Sequence, residues 1–519
     1  MKIIKKYKDF LFLSPILFLA AFLRLYRIGD FMTFLGDEGR DVLVVKHILE
    51  GDLTLLGPRA SAGDFYLGPI YYYFMTPFLW LWRLDPVGPA VMVALLGVAT
   101  VYLVYLLGNK FFNQPTGLIA AFLYAISPIV IVYSRSSWNP NVMPFFTLSA
   151  LLILYYAVIK KSKWLFLLTG MILGIIMQLH YLGTFVALIV AVFTLIGSIV
   201  NNKRITLHLV LNLIVHYLSI FIGFILGFSP FLLFEIRNGF PNSQNILKFI
   251  INPDKTQLLE VKFTDIVSDV FTRIFGRLLV NFPDPRQFDL YDSAVLSAWK
   301  IAVTILAIIS LVLLLKMKDK VRMTLLLTWL VVGVLAFGFY KKSIYDYYFA
   351  FLFPVPFILI SNFIVSLFRS NRVQILSKIS AVILFIVILI PNFYFTPVRY
   401  VPNRQKNQIQ TISEFVLSKT DNKPFNFALI TGGNSDHGYR YYFELNDRYP
   451  VVIENPEADP ERKTVTDQLM VICEHECQPL GNSLWEVAGF GSAEIVGEWD
   501  VSVVKVYKLV PYVNPNPEN

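Results

Sequence analysis

Charge is scarce in this sequence: 16% of its 519 residues are Asp, Glu, Lys or Arg, against 56% hydrophobic and 15% aromatic. A water-soluble chain of this size carries more, so the composition points to a polytopic α-helical membrane protein. Cysteine is nearly missing. The two present, Cys473 and Cys477, have no metal-binding spacing around them, and a short-loop disulfide and a pair of inert thiols both remain open. No Gly-rich phosphate loop follows a strand and no cytosolic nucleotide-binding domain is legible, which argues against a nucleotide-sugar donor used inside the cell. No small-residue cleavage site follows the first apolar run. There is no internal repeat, so the two matching halves common in carriers are not seen. The formal net charge of +9 comes from short basic clusters between apolar runs, which mark topology rather than a nucleic-acid surface.

Apolar runs near the roughly 20 residues that a spanning helix needs are abundant. They fall at 10–28, 87–107, 116–133, 142–159, 164–180, 183–200, 207–234, 299–315, 323–340, 345–368 and 375–395, giving about eleven spans. Lys2, Lys5, Lys6 and Lys8 precede the first and place the N-terminus in the cytoplasm. Lys110, Lys160, Lys161, Lys163, Lys203, Arg204, Lys316, Lys318, Lys320, Arg322, Arg369 and Arg372 then fall in the remaining cytoplasmic links. The transmembrane domain is 1–395, with a first outer loop at 29–86 and a large one at 235–298. The segment 71–82 is aromatic and too short to span, and reads as an interfacial or re-entrant helix.

From 396 to 519 the pattern becomes that of a soluble extracytoplasmic α/β domain. It shows a helix at 408–419, strands at 425–430, 451–453, 469–472 and 501–509, and a turn at Thr431-Gly432-Gly433.

Chemistry centres on Phe34-Leu35-Gly36-Asp37-Glu38-Gly39-Arg40-Asp41, an acidic knot just beyond the first span. Adjacent carboxylates aim in different directions, and their mutual repulsion lifts one pKa toward that of a useful base. The plainer reading makes Asp37 the cap of a surface helix from Glu38 to Leu49, stopped at Glu50-Gly51, with Val42, Val45 and Leu49 as its apolar face.

The order of features resembles the lipid-phosphosugar glycosyltransferases of the GT-C fold. Within that group it is most similar to the protein O-mannosyltransferase and aminoarabinose-transferase branch (glycosyltransferase family 39-like). The matching residues are Asp37-Glu38-Gly39-Arg40, Leu49-Glu50-Gly51-Asp52, Gly68-Pro69-Ile70-Tyr71-Tyr72, Ser127-Pro128 and Tyr133-Ser134-Arg135-Ser136. The resemblance covers the first two hundred residues or so, and the later spans only in layout. It implies that Asp37 is the catalytic base and Glu38 its acidic partner. Two positions depart from the pattern. Trp138-Asn139-Pro140-Asn141 stands where relatives often carry an acid, and Asn139-Pro140 is also an ordinary helix start. Leu67 stands where aminoarabinose transferases place a metal ligand, with Asp64 somewhat earlier. A divalent metal ion is therefore left with Glu38 and Asp64 as its candidate ligands.

The candidate substrate contacts are Arg40, Asp41, Asp64, Tyr71, Arg135, Asn139, His180, Tyr181, Lys341, Lys342 and Tyr345. Lys341 and Lys342 lie on the positive-poor side, where they serve either the donor phosphate or lipid headgroups. Arg135 is a second phosphate candidate; Arg273 and Arg277 in the large outer loop rank behind it. Pro283-Asp284-Pro285-Arg286 either contacts the acceptor or turns the chain.

The reading is an inverting glycosyltransferase that moves a sugar from a polyprenyl-phosphate carrier to an acceptor hydroxyl on a protein, lipid or glycan outside the cell membrane. The C-terminal domain is the candidate acceptor binder. The rival is a membrane carrier or flippase for a lipid-linked glycan. Acids held in loops rather than within spans, and the lack of matching halves, favour the enzyme. A transferase-like scaffold without activity is the third reading; Asn139-Asn141 keeps it and Asp37-Glu38 opposes it.

Overall fold

The computed structural model describes residues 2–60, 64–251, 261–283, 290–369 and 374–513, the side chains of 2–10, 249 and 250 excepted. Asp284, Pro285 and Arg286 lie outside the described residues. The chain divides into two units, one of Met1–Tyr26, Leu53–Phe74 and Ala90–Val401, the other of Arg27–Asp52, Met75–Pro89 and Pro402–Asn519.

Every predicted apolar run is helical. Among the described residues, seven helices are long and apolar enough to cross a membrane: Val87–Phe111, Asn139–Lys160, Gly183–Asn202, Leu207–Gly227, Ser293–Leu315, Lys320–Phe337 and Gln374–Tyr394. Asp346–Leu352 and Pro354–Phe368 make an eighth if taken as one span bent by 59°. The other three runs appear as the shorter apolar helices Leu11–Leu25, Gln114–Ile126 and Lys163–Leu179. The 116–133 run is cut because Pro128 starts a new helix, Pro128–Tyr133, and leaves Ser127 extended at ψ 121°. The residue before a proline is pushed out of the helical region. The aromatic segment is a twelve-residue helix, Ile70–Leu81, too short to span. The chain is a multi-pass membrane protein.

The 235–298 loop departs from a simple solvent loop. Its second half forms Phe263–Thr272, a π-helical turn Arg273–Arg277, and Leu278–Val280. Ile274, Phe275, Leu278 and Leu279 are each at most 1% exposed, so this stretch packs into its unit. Carbonyls freed at such breaks need partners where water is scarce. Ser127 Oγ donates to the Leu278 carbonyl at 2.8 Å, and Asn392 Nδ2 donates to that of Leu279.

The helices Lys163–Leu179 and Leu207–Gly227 cross on small residues, Gly170 and Gly174 against Gly223 and Gly227. A Cβ built on Gly170 would lie 2.0 Å from the Ile220 carbonyl oxygen, and one on Gly223 at 2.0 Å from that of Leu167. Close backbone approach of this kind is how helices associate in lipid, where apolar side chains alone give no driving force.

The second unit holds a four-stranded sheet in the order β1-β2-β4-β3. Its strands are β1 (Asn426–Ile430), β2 (Leu469–Cys473), β3 (Ala493–Val501) and β4 (Val504–Pro511). β1 and β2 pair in parallel and the other pairs are antiparallel. Ala428, Leu469, Val471, Phe490 and Leu509 form its core. Cys473 and Cys477 are disulfide-bonded. Two strand expectations are corrected. The 501–509 stretch is the far arm of a hairpin that turns at Ser502, whose φ is 56°; β3 is largely exposed, which hid its alternation. The 451–453 stretch makes only an isolated bridge, Asn426 to Val451.

Replacing Gly223 by Val should lower the thermal unfolding temperature of the solubilised protein, because overpacking costs about 1–3 kcal/mol. An unchanged temperature would mean that the crossing tolerates separation of the two helices.

Candidate functional site

Arg273 and Arg277 are spaced i, i+4, so one helical face carries both guanidinium groups. They sit at the two ends of the π-helical turn, a distortion that often accompanies functional sites. Between them lies Asp346, 8% exposed. One carboxylate oxygen accepts from Arg273 Nε at 3.0 Å and from its Nη2; the other accepts from Arg277 Nε at 2.6 Å. Arg273 Nη1 also donates to the Ile344 carbonyl at 2.9 Å and to Asp269 at 3.2 Å, and its guanidinium stacks over Phe349 at 4.9 Å. Burial by itself would lower the Arg273 pKa; Asp346 and Asp269 outweigh it and raise it. Two fixed cations thus share one oriented carboxylate.

These three residues line a cavity of about 860 Å³ with Tyr133, Trp138, Asp265, Trp299, Lys300, Tyr345 and Tyr347. That is the size of a small-molecule site, with apolar walls and a few convergent polar groups.

The first unit places the other candidates variously. Tyr345 lines the cavity, as does Trp138. Asn139 is buried and turns its Nδ2 to the Leu179 carbonyl. Arg135 is buried too, donating to the carbonyls of Leu23 and Tyr26 at 2.6 Å each; it ties down the end of the first span. Lys341 Nζ donates to the Val261 carbonyl at 2.7 Å. The ring of Lys342's neighbour Tyr345 stacks with Tyr347 at 5.8 Å; Lys342 itself is not among the cavity-lining residues. His180 is buried and stacked on Tyr181 at 4.3 Å, and Tyr181 OH meets Tyr340 OH at 2.9 Å. Tyr71 is buried with its hydroxyl 2.9 Å from Ser137 Oγ. Asp64 is exposed and paired with Arg59 at 2.6 Å.

The acidic pair belongs to the second unit, on the helix Gly36–Glu50, whose N-cap is Leu35 rather than Asp37. Val42, Val45 and Ile48 form its buried face. The two carboxylates part company here. Asp37 is about half exposed and pairs with Arg40 at 2.8 Å. Arg40 also holds the buried Asp41, through Nε at 3.0 Å and Nη2 at 2.7 Å. Glu38 is 6% exposed and reaches back to accept from the Leu35 backbone N–H at 3.1 Å, the N3 half of a capping box. Burial, with smaller contributions from Asp37 and Asp41, pushes its pKa up to about 7 against the opposing pull of that backbone bond.

With Glu38 turned inward and Asp64 on Arg59, neither donor set fits a divalent cation. No group of three or more His, Cys, Asp or Glu among the described residues is placed to hold one.

The architecture has known counterparts. ArnT from Cupriavidus metallidurans in the apo state superposes with a TM-score of 0.62 at 12% identity, covering 96% of this chain and 97% of that one. The same protein bound to undecaprenyl phosphate gives 0.58 at 11%, with the same coverage. The fold is GT-C. A more distant GT-C structure, the oligosaccharyltransferase AglB from Archaeoglobus fulgidus with an inhibitory peptide and a dolichol-phosphate, gives 0.53 at 14% identity, covering 90% of this chain and 69% of that one. The model of the dolichyl-phosphate-mannose-protein mannosyltransferase family matches residues 67–233. No curated protein sequence matches the chain.

The Glu38 environment has a measurable consequence. With its folded pKa near 7 and an ordinary value of 4.5, the folded protein keeps a proton that the unfolded chain releases between these values. Stability therefore falls as pH rises from about 4.5 to 7, by on the order of 3 kcal/mol, and levels off above. Glu38→Gln should flatten this dependence in thermal unfolding measured from pH 5 to 8. Parallel curves for both proteins would show that Glu38 titrates as an ordinary glutamate.

Proposed function

We propose that this protein is an inverting glycosyltransferase that takes a sugar from a polyprenyl-phosphate carrier and places it on an acceptor hydroxyl outside the cell. The cavity wall built by Arg273, Asp346 and Arg277 carries the reading. It offers two preorganised guanidinium groups, with Lys300 in the same wall, to a phosphate whose negative charge grows as the glycosidic bond breaks. The lipid phosphates seen with the GT-C relatives have this chemistry, and the mannosyltransferase family match over 67–233 agrees with a lipid-linked donor.

The acceptor oxygen attacks the anomeric carbon as the carbon–oxygen bond to phosphate breaks. The bonding pair leaves with the lipid phosphate, and the acceptor proton passes to Asp37. One displacement inverts the configuration. Asp37 takes the base role over Glu38 because its carboxylate is open to solvent, whereas that of Glu38 serves the helix end. No step runs through a metal. Tyr345 and Trp138 offer aromatic faces to the donor. In this reading the N-terminus is cytoplasmic and the sheet-bearing segment extracytoplasmic.

Transfer of radiolabel from a panel of polyprenyl-phosphate monosaccharides, in native protein and two variants, tests this. Asp37→Asn should lose roughly a hundredfold or more in kcat, as removal of a general base does. Arg277→Ala should weaken donor use by about tenfold to a hundredfold, the range for a charged hydrogen bond. Full transfer by Asp37→Asn would remove the base assignment. Tight donor binding without transfer by the native protein would favour the carrier.

A further inference from the structure

The domain 396–519 was expected to bind the acceptor; within the second unit, residues of it do something more specific to the acidic helix. We infer that Asn434 is a positioning residue for Asp37, and that the segment Asn434 to Gly438, which leads into the helix His437–Leu445, forms the seat on which the catalytic turn rests. This rests on the base role proposed above for Asp37.

The first turn of a helix has backbone N–H groups with no partner inside the helix. Here the N-cap residue is Leu35, which has no side-chain cap to offer. The missing acceptor comes from far along the chain: the Gly36 N–H donates to Asn434 Oδ1 at 2.8 Å across 398 residues. The same oxygen accepts from the Ser435 N–H at 2.9 Å, and Asn434 Nδ2 donates to Glu474 at 2.8 Å. Glu474 in turn accepts from Thr431 Oγ1 at 2.6 Å and from the Tyr439 hydroxyl at 3.1 Å. The carboxamide is thus held on one side by a network and presented on the other to the residue just before Asp37.

Sterics point the same way. A Cβ built on Gly36 would fall 2.0 Å from Ser435 Oγ, and one on Gly39 would fall 2.3 Å from the Gly438 nitrogen. The two glycines bracketing Asp37-Glu38 are therefore the places where this segment touches the helix backbone. Either side of this seat, Gln405 Oε1 accepts from the Phe34 N–H at 3.2 Å, and Glu444 lies 3.0 Å from His47 Nε2. The helix is fixed before, at and after the acidic pair by one segment of chain.

The test combines hydrogen exchange with kinetics on the full-length protein in lipid nanodiscs. Asn434→Ala should raise amide exchange at residues 36–41 by about tenfold, leaving β1 and β2 protected. It should lower kcat by a similar factor while KM for the lipid donor and for the acceptor stays at the native value. If the first variant also opens the sheet, Gln405→Ala, which removes only the bond to Phe34, should show the same pattern more weakly. Native exchange at 36–41, or faster exchange with native kcat, would overturn the assignment. So would a raised acceptor KM with native kcat, which would make Asn434 an acceptor contact. Full transfer by Asp37→Asn would instead overturn the base role while leaving the exchange result standing.

Discussion

One carboxylate, that of Asp346, holds two guanidinium groups at the wall of the 860 Å³ cavity. Bringing Arg273 and Arg277 together without it would leave like charges at low exposure, and an uncompensated buried charge costs several kcal/mol. The pairing fixes where both arginines point. It requires the second half of the 235–298 loop to pack inward, and that packing exposes the carbonyls of Leu278 and Leu279 to surroundings poor in water. Ser127 and Asn392 answer them. The electrostatics of the cavity thus depends on two polar side chains, Ser127 and Asn392, that do not line it.

The membrane architecture was legible because it follows from length and composition, which a sequence displays directly. All eleven runs are helices, and the break at Pro128 was written in the proline itself. The cavity was harder. Arg273 and Arg277 carried a signal, spacing by four, but they stood in a segment whose apolar residues are too few for a span, and their weight was given to Lys341, Lys342 and Arg135. A lysine on the positive-poor side looked purposeful; Lys341 in fact meets a carbonyl, and Arg135 braces the end of the first span. Asp346 adjoins the candidate Tyr345, yet nothing local says that its partners are some seventy residues upstream. In the sheet, β3 escaped because a strand exposed along most of its length shows little alternation.

The acidic motif shows a different limit. Neighbours on a helix point about 100° apart, so opposite fates for Asp37 and Glu38 are natural, but which one faces water depends on what covers the helix. That cover is supplied by residues about four hundred positions later. Nothing local to Gly36 and Gly39 explains why glycine flanks the two charges. Their reason is contact: no side chain fits where Ser435 and Gly438 stand.

This has a consequence for how such a chain can be inherited. A methyl group gained at Gly39 can be absorbed only if the helix start at Gly438 withdraws, and a new residue at 434 must still offer an acceptor to Gly36. The two ends of the gene are therefore obliged to vary together. A chimera that joins the helices of one relative to the sheet of another would keep both folded parts and lose the match between them.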